Sequence, residues 1–527
     1  MRRRWCCRNF FYRNVRNGRN GSVGTRFHIC RNSCKLHEDR IPVINQEYAP
    51  FLCARMAKKP NQVWENITVT GWGAKGVALA KVDGLVLFIT GAVPGDVADV
   101  LVTRKKKSFA EGRVQRMITP SPHRTDPFCK HFGTCGGCKW QDLAYPMQLH
   151  FKRQEAIDAL ERIGGLELPE VPATLASGET RYYRNKLEYT FSNARWFSSA
   201  DLATGEEFVD RNALGYHIPG RFDKVFDCEE CFLQPAPSDA IRNFIRSYAK
   251  EHKLGFYDIR NHEGWLRTLT IRTTTTGEIM VLLAIGHEDV EPREALLGAL
   301  LETFPSITSL MWCINPKKND TIWDLEMNVF HGKDHITDEL RDAGHANLRF
   351  RIGPKSFFQT NPEQTQTLYE KVRELTRLKG DELVYDLYCG AGSISLFLAR
   401  HCKRVIGAEI VPEAIVDAKA NAELNGIGNT AFEAGDLKDL LNADFIARNG
   451  RPDVLVTDPP RAGMHTDVVE RIRELAPKCI VYVSCNPATQ ARDLALLKDM
   501  YAVTDVQPFD MFPHTWHMEN VVRLERR

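Results

Sequence analysis

The sequence predicts a multidomain protein with a small all-β barrel, a central α+β region and a C-terminal doubly wound α/β domain. Three observations carry that prediction. At 527 residues the chain exceeds one ordinary core, given roughly 100 to 200 residues per domain. Its hydrophobic periodicity changes twice, from glycine-punctuated β-rich runs, through a mixed pattern, to buried strand-like runs alternating with helical stretches. The composition, 43% hydrophobic and 26% charged, is that of a globular chain and excludes collagen, coiled coil and wholesale disorder. No run approaches the roughly 18 apolar residues of a membrane span, so a soluble protein with no membrane partner is expected.

Residues 1–55 stand apart. They hold eleven Arg, one Lys and three acidic residues, so the chain's net charge of +3 divides into +9 here and −6 over residues 56–527. Five of the 15 cysteines fall in this segment, which has no strand or helix periodicity. It is expected to be a basic extension, disordered or not native. The readings are upstream sequence ahead of a start at Met56, an Arg-rich organellar presequence, or a basic RNA-binding tail. No secretory apolar region is present. The ten other cysteines are therefore expected in a reducing, cytoplasmic compartment, where metal or catalytic roles outrank disulfides. A monomer is expected.

From residue 60 to 118, runs such as ITVTGWGAKGVALA and LVLFITGAVPGDVADVLVT place Gly and Pro-Gly at the corners of short strands, the pattern of a small barrel. The knot Arg104-Lys105-Lys106-Lys107 suits phosphate contacts, although lysines on an inert barrel would also simply be solvated. After a Pro/Ser-rich linker, residues 119–353 form the central α+β region. PMQLHFKRQEAIDALERIGG reads as an amphipathic helix stopped by Gly-Gly, and KLEYTFS, LRTLTIRTTT, EIMVLLAI and SLMWCIN read as strands. Over residues 354–527, ELVYDLYCG, RVIGAEI, DVLVTDPP and CIVYVSCNP are short buried runs ending at polar residues with helices between. That alternation predicts a parallel sheet with ligands at its carboxyl edge.

The chemistry concentrates at those strand ends. DLYCGAGSISLFLA is a strand, a glycine turn and a helix start, where backbone approaches a nucleotide-like ligand. Glu409 ends the next run, where a carboxylate can accept both ribose hydroxyls. Asp436 and Asp458 follow at the next two strand ends. The turn departs from G-x-G-x-x-G, which favours S-adenosylmethionine over a dinucleotide. Cys485 ends CIVYVSCNP. A strand-end cysteine alone is more often packing, but DPPR at 458–461 has Arg461 where base amino-methyltransferases need an aromatic residue, and HTWHMEN follows at 514–520. A pyrimidine carbon accepts a methyl group only after a nucleophile adds to its neighbour, and a thiolate does this well.

A second cluster is Cys129-x5-Cys135-Gly-Gly-Cys138, with Cys228 and Cys231 later. Spacing allows a four-cysteine zinc site of two C-x2-C knuckles, or a 4Fe-4S cluster on Cys129, Cys135, Cys138 and one later cysteine. A radical S-adenosylmethionine enzyme would show C-x3-C-x2-C instead.

Seven motifs in order, DGLVLFITGAVPGD, CKHFGTCGGCKWQDL, GPKSFFQTNPEQ, DLYCGAGSISL, TDPPRAG, SCNPATQARDL and FPHTWHMENVV, cover nearly all of residues 60–527. Together they resemble the RNA 5-methyluridine methyltransferases, in particular the TRAM-containing, iron-sulfur 23S ribosomal RNA uracil-C5 branch. The resemblance implies an N-terminal TRAM/OB-like barrel, a central α+β domain carrying an iron-sulfur loop, and a Rossmann-like class I methyltransferase domain. It implies that Cys485 adds to uracil C6 and that Glu519 removes the C5 proton. Gln359, Tyr388, Ser393, Glu409, Asp436 and Asp458 would line the S-adenosylmethionine and uracil pocket, with Ser393 standing where Asn is frequent and Asp436 where an amide occurs. Cys129, Cys135, Cys138 and Cys231 would hold a structural 4Fe-4S cluster, with Cys228 a rival ligand. The implied partner is 23S ribosomal RNA. The alternatives are tRNA, or a catalytically silent RNA-binding or iron-sulfur scaffold, and retention of both Cys485 and Glu519 speaks against silence.

Overall fold

The computed structural model describes residues 62–205 and 208–527; the expectations for residues 1–55 lie outside these. Six strands open the described chain: β1 Val63–Thr68, β2 Gly71–Gly73, β3 Val77–Val82, β4 Leu85–Thr90, β5 Val97–Lys105 and β6 Phe109–Thr119. They form one sheet in the order β1-β5-β6-β4-β3-β2. Alternate residues of β3 and β4 are buried, so one face turns inward. Ile67, Ala80, Leu87, Val100 and Ala110 share a single core. Contact between β1 and β3, far apart in the sheet order, shows that the sheet curls around that core.

Helix α1 (Tyr145–Arg162) follows the cysteine loop. The central sheet comprises β7 Lys186–Ser192, β8 Ala213–Ile218, β9 Arg221–Asp227, β10 Leu266–Thr273, β11 Ile279–Ile285, β12 Ser309–Ile314 and β13 Asn328–Gly332. Within it run the short α2 (Ser199–Ala203), α3 (Ser238–Glu251) and α4 (Val290–Thr303). The order is β13-β12-β11-β10-β7-β8-β9, antiparallel except where α4 carries β11 over to a parallel β12. Every residue of β10 and β11 is buried; β11, IMVLLAI, is accordingly an unbroken apolar run, whereas β10, LRTLTIRT, also buries Arg267 and Arg272. Val281 and Leu283 face α3 and α4, while Met280, Leu282 and Ala284 join the core of the C-terminal region.

The C-terminal region adds the hairpin β14 (Ile336–Leu340) and β15 (Leu348–Ile352), then α5 Pro362–Thr376, β16 Leu383–Leu387, α6 Ser393–Ala399, β17 Arg404–Glu409, α7 Pro412–Leu424, β18 Thr430–Ala434, α8 Leu437–Leu440, α9 Ala443–Asn449, β19 Val454–Thr457, α10 Thr466–Leu475, β20 Cys479–Ser484, α11 Pro487–Ala495, β21 Tyr501–Phe509 and β22 Glu519–Arg526. The sheet order is β18-β17-β16-β19-β20-β22-β21, with β22 alone antiparallel to the strands on both sides of it. Strand alternation splits the core in two. Val384, Val405 and Val481 face α5 and the hairpin; Tyr385, Ile406 and Ile480 face α10, α11 and α1. Thus α1 and the hairpin, both N-terminal to residue 354 in sequence, pack as parts of the C-terminal sandwich. Among the described residues no helix is long and apolar enough to cross a membrane.

Candidate active site

The carboxyl edge of the C-terminal sheet gathers the polar residues. Because β22 runs antiparallel to β20, with Ser484 opposite Asn520, the next position outward sets Cys485 against Glu519, roughly one strand spacing of 4.7–4.9 Å away. Gln490 of α11 locks this register. Its Nε2 donates to Tyr482 O at 2.9 Å and Asn520 O at 3.1 Å, and its Oε1 accepts from Asn520 Nδ2 at 2.8 Å. Asp458 stands one residue beyond β19. The following loop is anchored by Asn486, the N-cap of α11, whose Nδ2 donates to Arg461 O at 3.1 Å.

The pocket disfavours negative charge. Burial pushes the Cys485 thiol up to about 12, helped by the carboxyls of Glu519 and Asp458 and opposed by Arg461. Burial, then Asp458, hold Glu519 well above the usual carboxylate range, again against Arg461, and its Oε2 is buried without a partner. Asp458 is pushed up to about 7 by burial and by Asp386. Two carboxyls that repel each other in a desolvated pocket titrate as a pair, and the last proton is held tightly. Such a site keeps a protonated thiol beside Asp458, which exchanges a proton near neutrality, and beside Glu519, whose hold on a proton is strengthened.

The neighbouring cleft has the features of a nucleoside site. Gly390 and Gly392 take φ of +53° and +79°, the left-handed region that favours glycine, and bend the chain from β16 into α6. Glu409 is buried; its Oε2 accepts from Gly390 N at 3.2 Å and its Oε1 from Val411 N at 3.0 Å, leaving lone pairs free. Tyr388 also has positive φ and feels the charges of Asp436 and Glu409. Ser393 Oγ lies 2.8 Å from Tyr369 Oη. Gln359 is buried, and its carbonyl accepts from Asn185 Nδ2 at 3.1 Å. Asp436 sits further out. It caps α8 and pairs with Lys438 Nζ at 2.9 Å, so its carboxylate reaches a ligand only from the rim.

The cysteine loop brings four thiols together. Cys138 is pushed up to about 12 by burial, with Cys135, Cys231 and Cys129 all adding to the shift. Cys228 neighbours Cys231 and Cys135, and its Sγ lies 3.5 Å from Glu230 O. The loop is tight: Gly136 has φ of +73°, and a Cβ there would fall 2.2 Å from Pro219 Cγ. A desolvated set of sulfurs holding their protons is the donor set that a thiophilic cation or cluster would deprotonate on binding. Thiols of this kind suit a zinc ion and an iron-sulfur cluster alike. Among the described residues, the group whose ligand atoms lie within 4.8 Å of one another is Asp342, His345 and His401, and not the thiols, but Arg373 at 3.2 Å and Arg400 at 2.9 Å already match the Asp342 charge.

Comparison with known proteins identifies the family. Residues 325–527 match the family model described as tRNA (uracil-5-)-methyltransferase, and residues 64–115 match the TRAM domain. An RNA methyltransferase of Bacteroides thetaiotaomicron is 53% identical over 458 residues, 86% of this chain and 100% of the relative. One from Porphyromonas gingivalis is 52% identical over 465 residues, 87% of this chain and 99% of the relative. The chain belongs to the RNA uracil-C5 methyltransferase family. Its structure resembles that of the Pyrococcus abyssi tRNA (uracil-54, C5)-methyltransferase in complex with S-adenosyl-L-homocysteine, at TM-score 0.66 and 27% identity, covering 87% of this chain and 100% of that one. The protein is an S-adenosylmethionine-dependent RNA uracil-C5 methyltransferase.

Several residues of this methyltransferase escaped the sequence reading. Asp386, inside β16, is pushed up to about 7 by burial and bonds Ser395 Oγ at 2.5 Å; its signal was one acid within the apolar run LVYDL. Tyr369, whose Oη lies 2.8 Å from Ser393 Oγ, sits on α5, one helical turn past the motif GPKSFFQTNPEQ. Lys152 of α1 forms a fully buried pair with Asp510 at 2.5 Å and donates to Phe512 O at 3.2 Å, bracing the loop before Glu519. That pairing joins residues 358 apart, beyond the reach of any local pattern.

Proposed function

We propose that the protein methylates carbon 5 of a uridine in 23S ribosomal RNA through a covalent Cys485–uracil adduct. The observation that carries the chemistry is the register setting Cys485 opposite Glu519 with Asp458 alongside. S-adenosylmethionine, held by Glu409 and the Gly390–Gly392 turn, supplies an electrophilic methyl on a sulfonium sulfur. Cys485 sulfur bonds to C6 as its proton passes to a neighbouring carboxyl, and the C5–C6 π electrons become an enolate nucleophilic at C5. After C5 is methylated, Glu519 takes the C5 proton, the C5–C6 double bond re-forms and the C6–S bond breaks. Two protons must be received, and the pocket offers two carboxyls. The raised affinity of Glu519 for a proton suits a base, whose contribution is roughly 100- to 10,000-fold. The target base must leave its stack to reach Cys485.

Cys129, Cys135, Cys138 and Cys231 would hold a 4Fe-4S cluster that organises the RNA-facing loop, since methyl transfer needs no electron. The curled sheet would bind RNA through Lys105 and Lys106, which already sit 5.0 and 5.3 Å from the Trp64 and Phe109 rings. A second reading takes tRNA as the target. The archaeal tRNA enzyme shares the chain's architecture along its whole length, so the barrel by itself does not separate the substrates.

The test is methyl transfer from labelled S-adenosylmethionine to unmodified 23S and tRNA transcripts side by side, with wild type and Cys485→Ala. We expect 5-methyluridine in ribosomal RNA, lost in the variant. Label in tRNA alone would overturn the target and keep the chemistry.

A further inference from the structure

Three guanidiniums that no carboxylate pairs run past the mouth of the site. Arg181 Cζ lies 4.0 Å from the centre of the Phe128 ring, Arg184 Cζ 5.0 Å from Phe512 and Arg461 Cζ 4.6 Å from Trp516. Among the described residues none of the three forms an ion pair. By contrast, the arginines that brace the fold do: Arg124 with Asp96 and Asp142, Arg242 with Asp239, and Arg400 with Asp342.

The aromatic supports share one surface. Phe128 meets His514 at 5.0 Å, Phe512 meets His517 at 6.3 Å and Trp516 lies 4.0 Å from His517. Tyr183 Oη donates to Pro513 O at 3.1 Å, so the 181–184 segment runs beside the loop leading to Glu519. The two histidines offer no counter-charge. Burial, with Lys152 and Arg181 against Asp510, holds His514 down to about 4, and burial with Arg461 and Arg184 holds His517 down to about 4, so both are neutral near pH 7. Arg184 Nε is buried without a partner. Between the two arginines, Tyr182 is 49% exposed at φ +57°, an unusual conformation for an aromatic residue. Its N–H donates to Phe232 O at 2.7 Å, fixing the turn that leaves the phenol outside.

A row of like charges repels itself, and the cation–π contacts fix its geometry without neutralising it. Its complement is a row of anions whose oxygens match planar guanidinium forks. An exposed aromatic ring between such cations offers a face to an unstacked base. We propose that Arg181, Arg184 and Arg461 form a phosphate track, with Tyr182 as its stacking ledge, for the unpaired RNA nucleotides flanking the flipped uridine. This rests on the reading of the protein as an RNA uridine methyltransferase acting at Cys485.

The test measures equilibrium binding of an unmodified 23S fragment transcript against KCl concentration. Wild type is compared with Arg181→Ala/Arg184→Ala, Arg181→Lys/Arg184→Lys and Tyr182→Ala, with S-adenosylhomocysteine affinity reporting the folded pocket. Each lost phosphate contact to single-stranded RNA lowers the magnitude of the log–log salt slope by about 0.7. The alanine pair is expected to lose about 1.4 while the lysine pair keeps the slope. Tyr182→Ala is expected to weaken binding roughly 5- to 150-fold with the slope unchanged. Should the alanine pair fail to fold, the exposed Arg181→Gln alone is read, with an expected loss of about 0.7. An unchanged slope with intact S-adenosylhomocysteine binding overturns the track even if the wild type makes 5-methyluridine. RNA bound by wild type with the expected slopes, but never methylated, leaves the track standing and sinks the catalytic reading.

Discussion

At the scale of single residues, the proposed mechanism gives Cys485 and Glu519 separable duties. Cys485→Ala is expected to abolish product while leaving RNA and S-adenosylhomocysteine affinity within about twofold, because the thiol acts in the covalent steps and not in the noncovalent binding of either ligand. Glu519→Gln removes only the base for the final elimination. It is expected to slow turnover roughly 100- to 10,000-fold and to accumulate methylated RNA linked to Cys485, visible as a gel-shifted species with ordinary uridine. The raised pKa values set the pH dependence. With Asp458 pushed up to about 7, Glu519 held well above the usual carboxylate range and both basic forms required, kcat/KM should fall as pH drops below 7, by at least roughly tenfold per pH unit. Stability moves the other way through Asp386. Its folded pKa of about 7 exceeds the unfolded value, so its contribution is full below about pH 4 and lost as pH rises toward 7. The unfolding free energy of Asp386→Asn relative to wild type should therefore climb across that window, by at most about 4 kcal/mol, and then stay level.

At the scale of elements, the strand ends were the legible part. Runs such as RVIGAEI and CIVYVSCNP announce their own termini, because an apolar stretch ending in a polar residue has one plausible exit from a buried parallel sheet. Glu409, Asp458 and Cys485 were found that way. The Cys485–Glu519 pairing was not derivable from pattern, since it depends on β22 inserting antiparallel between β20 and β21; only family resemblance joined them. The Lys152–Asp510 strut was hidden for the same reason, and α1 looked like an ordinary amphipathic helix of the central region. Its buried ion pair stands to cost heavily when broken one-sidedly. Lys152→Met should lose about 3–5 kcal/mol in denaturant unfolding by stranding Asp510, and adding Asp510→Leu should recover much of it.

At the scale of the whole molecule, function depends on three regions sharing one loop. Trp72 of the curled sheet, Trp140 beside the cysteine loop, and Trp516 pack in one apolar cluster. Lys139 N and Trp140 N donate to His514 O at 2.9 and 3.0 Å. The cysteine loop thus touches the segment that delivers Glu519. Cys138→Ala should therefore cut RNA methylation more than tenfold while S-adenosylhomocysteine still binds the C-terminal sheet, as isothermal titration would show. Sequence periodicity revealed three folding patterns but not this clasp, because its contacts join residues hundreds of positions apart through single side chains. The central claim concerns one covalent bond. It is tested most directly by incubating the protein and S-adenosylmethionine with 5-fluorouridine-containing RNA and mapping any stable adduct by peptide mass spectrometry. Fluorine cannot leave C5 as a proton does, so a methylated fluorouracil should remain attached to Cys485. No adduct from protein that binds both ligands, or an adduct at another cysteine, would contradict the mechanism.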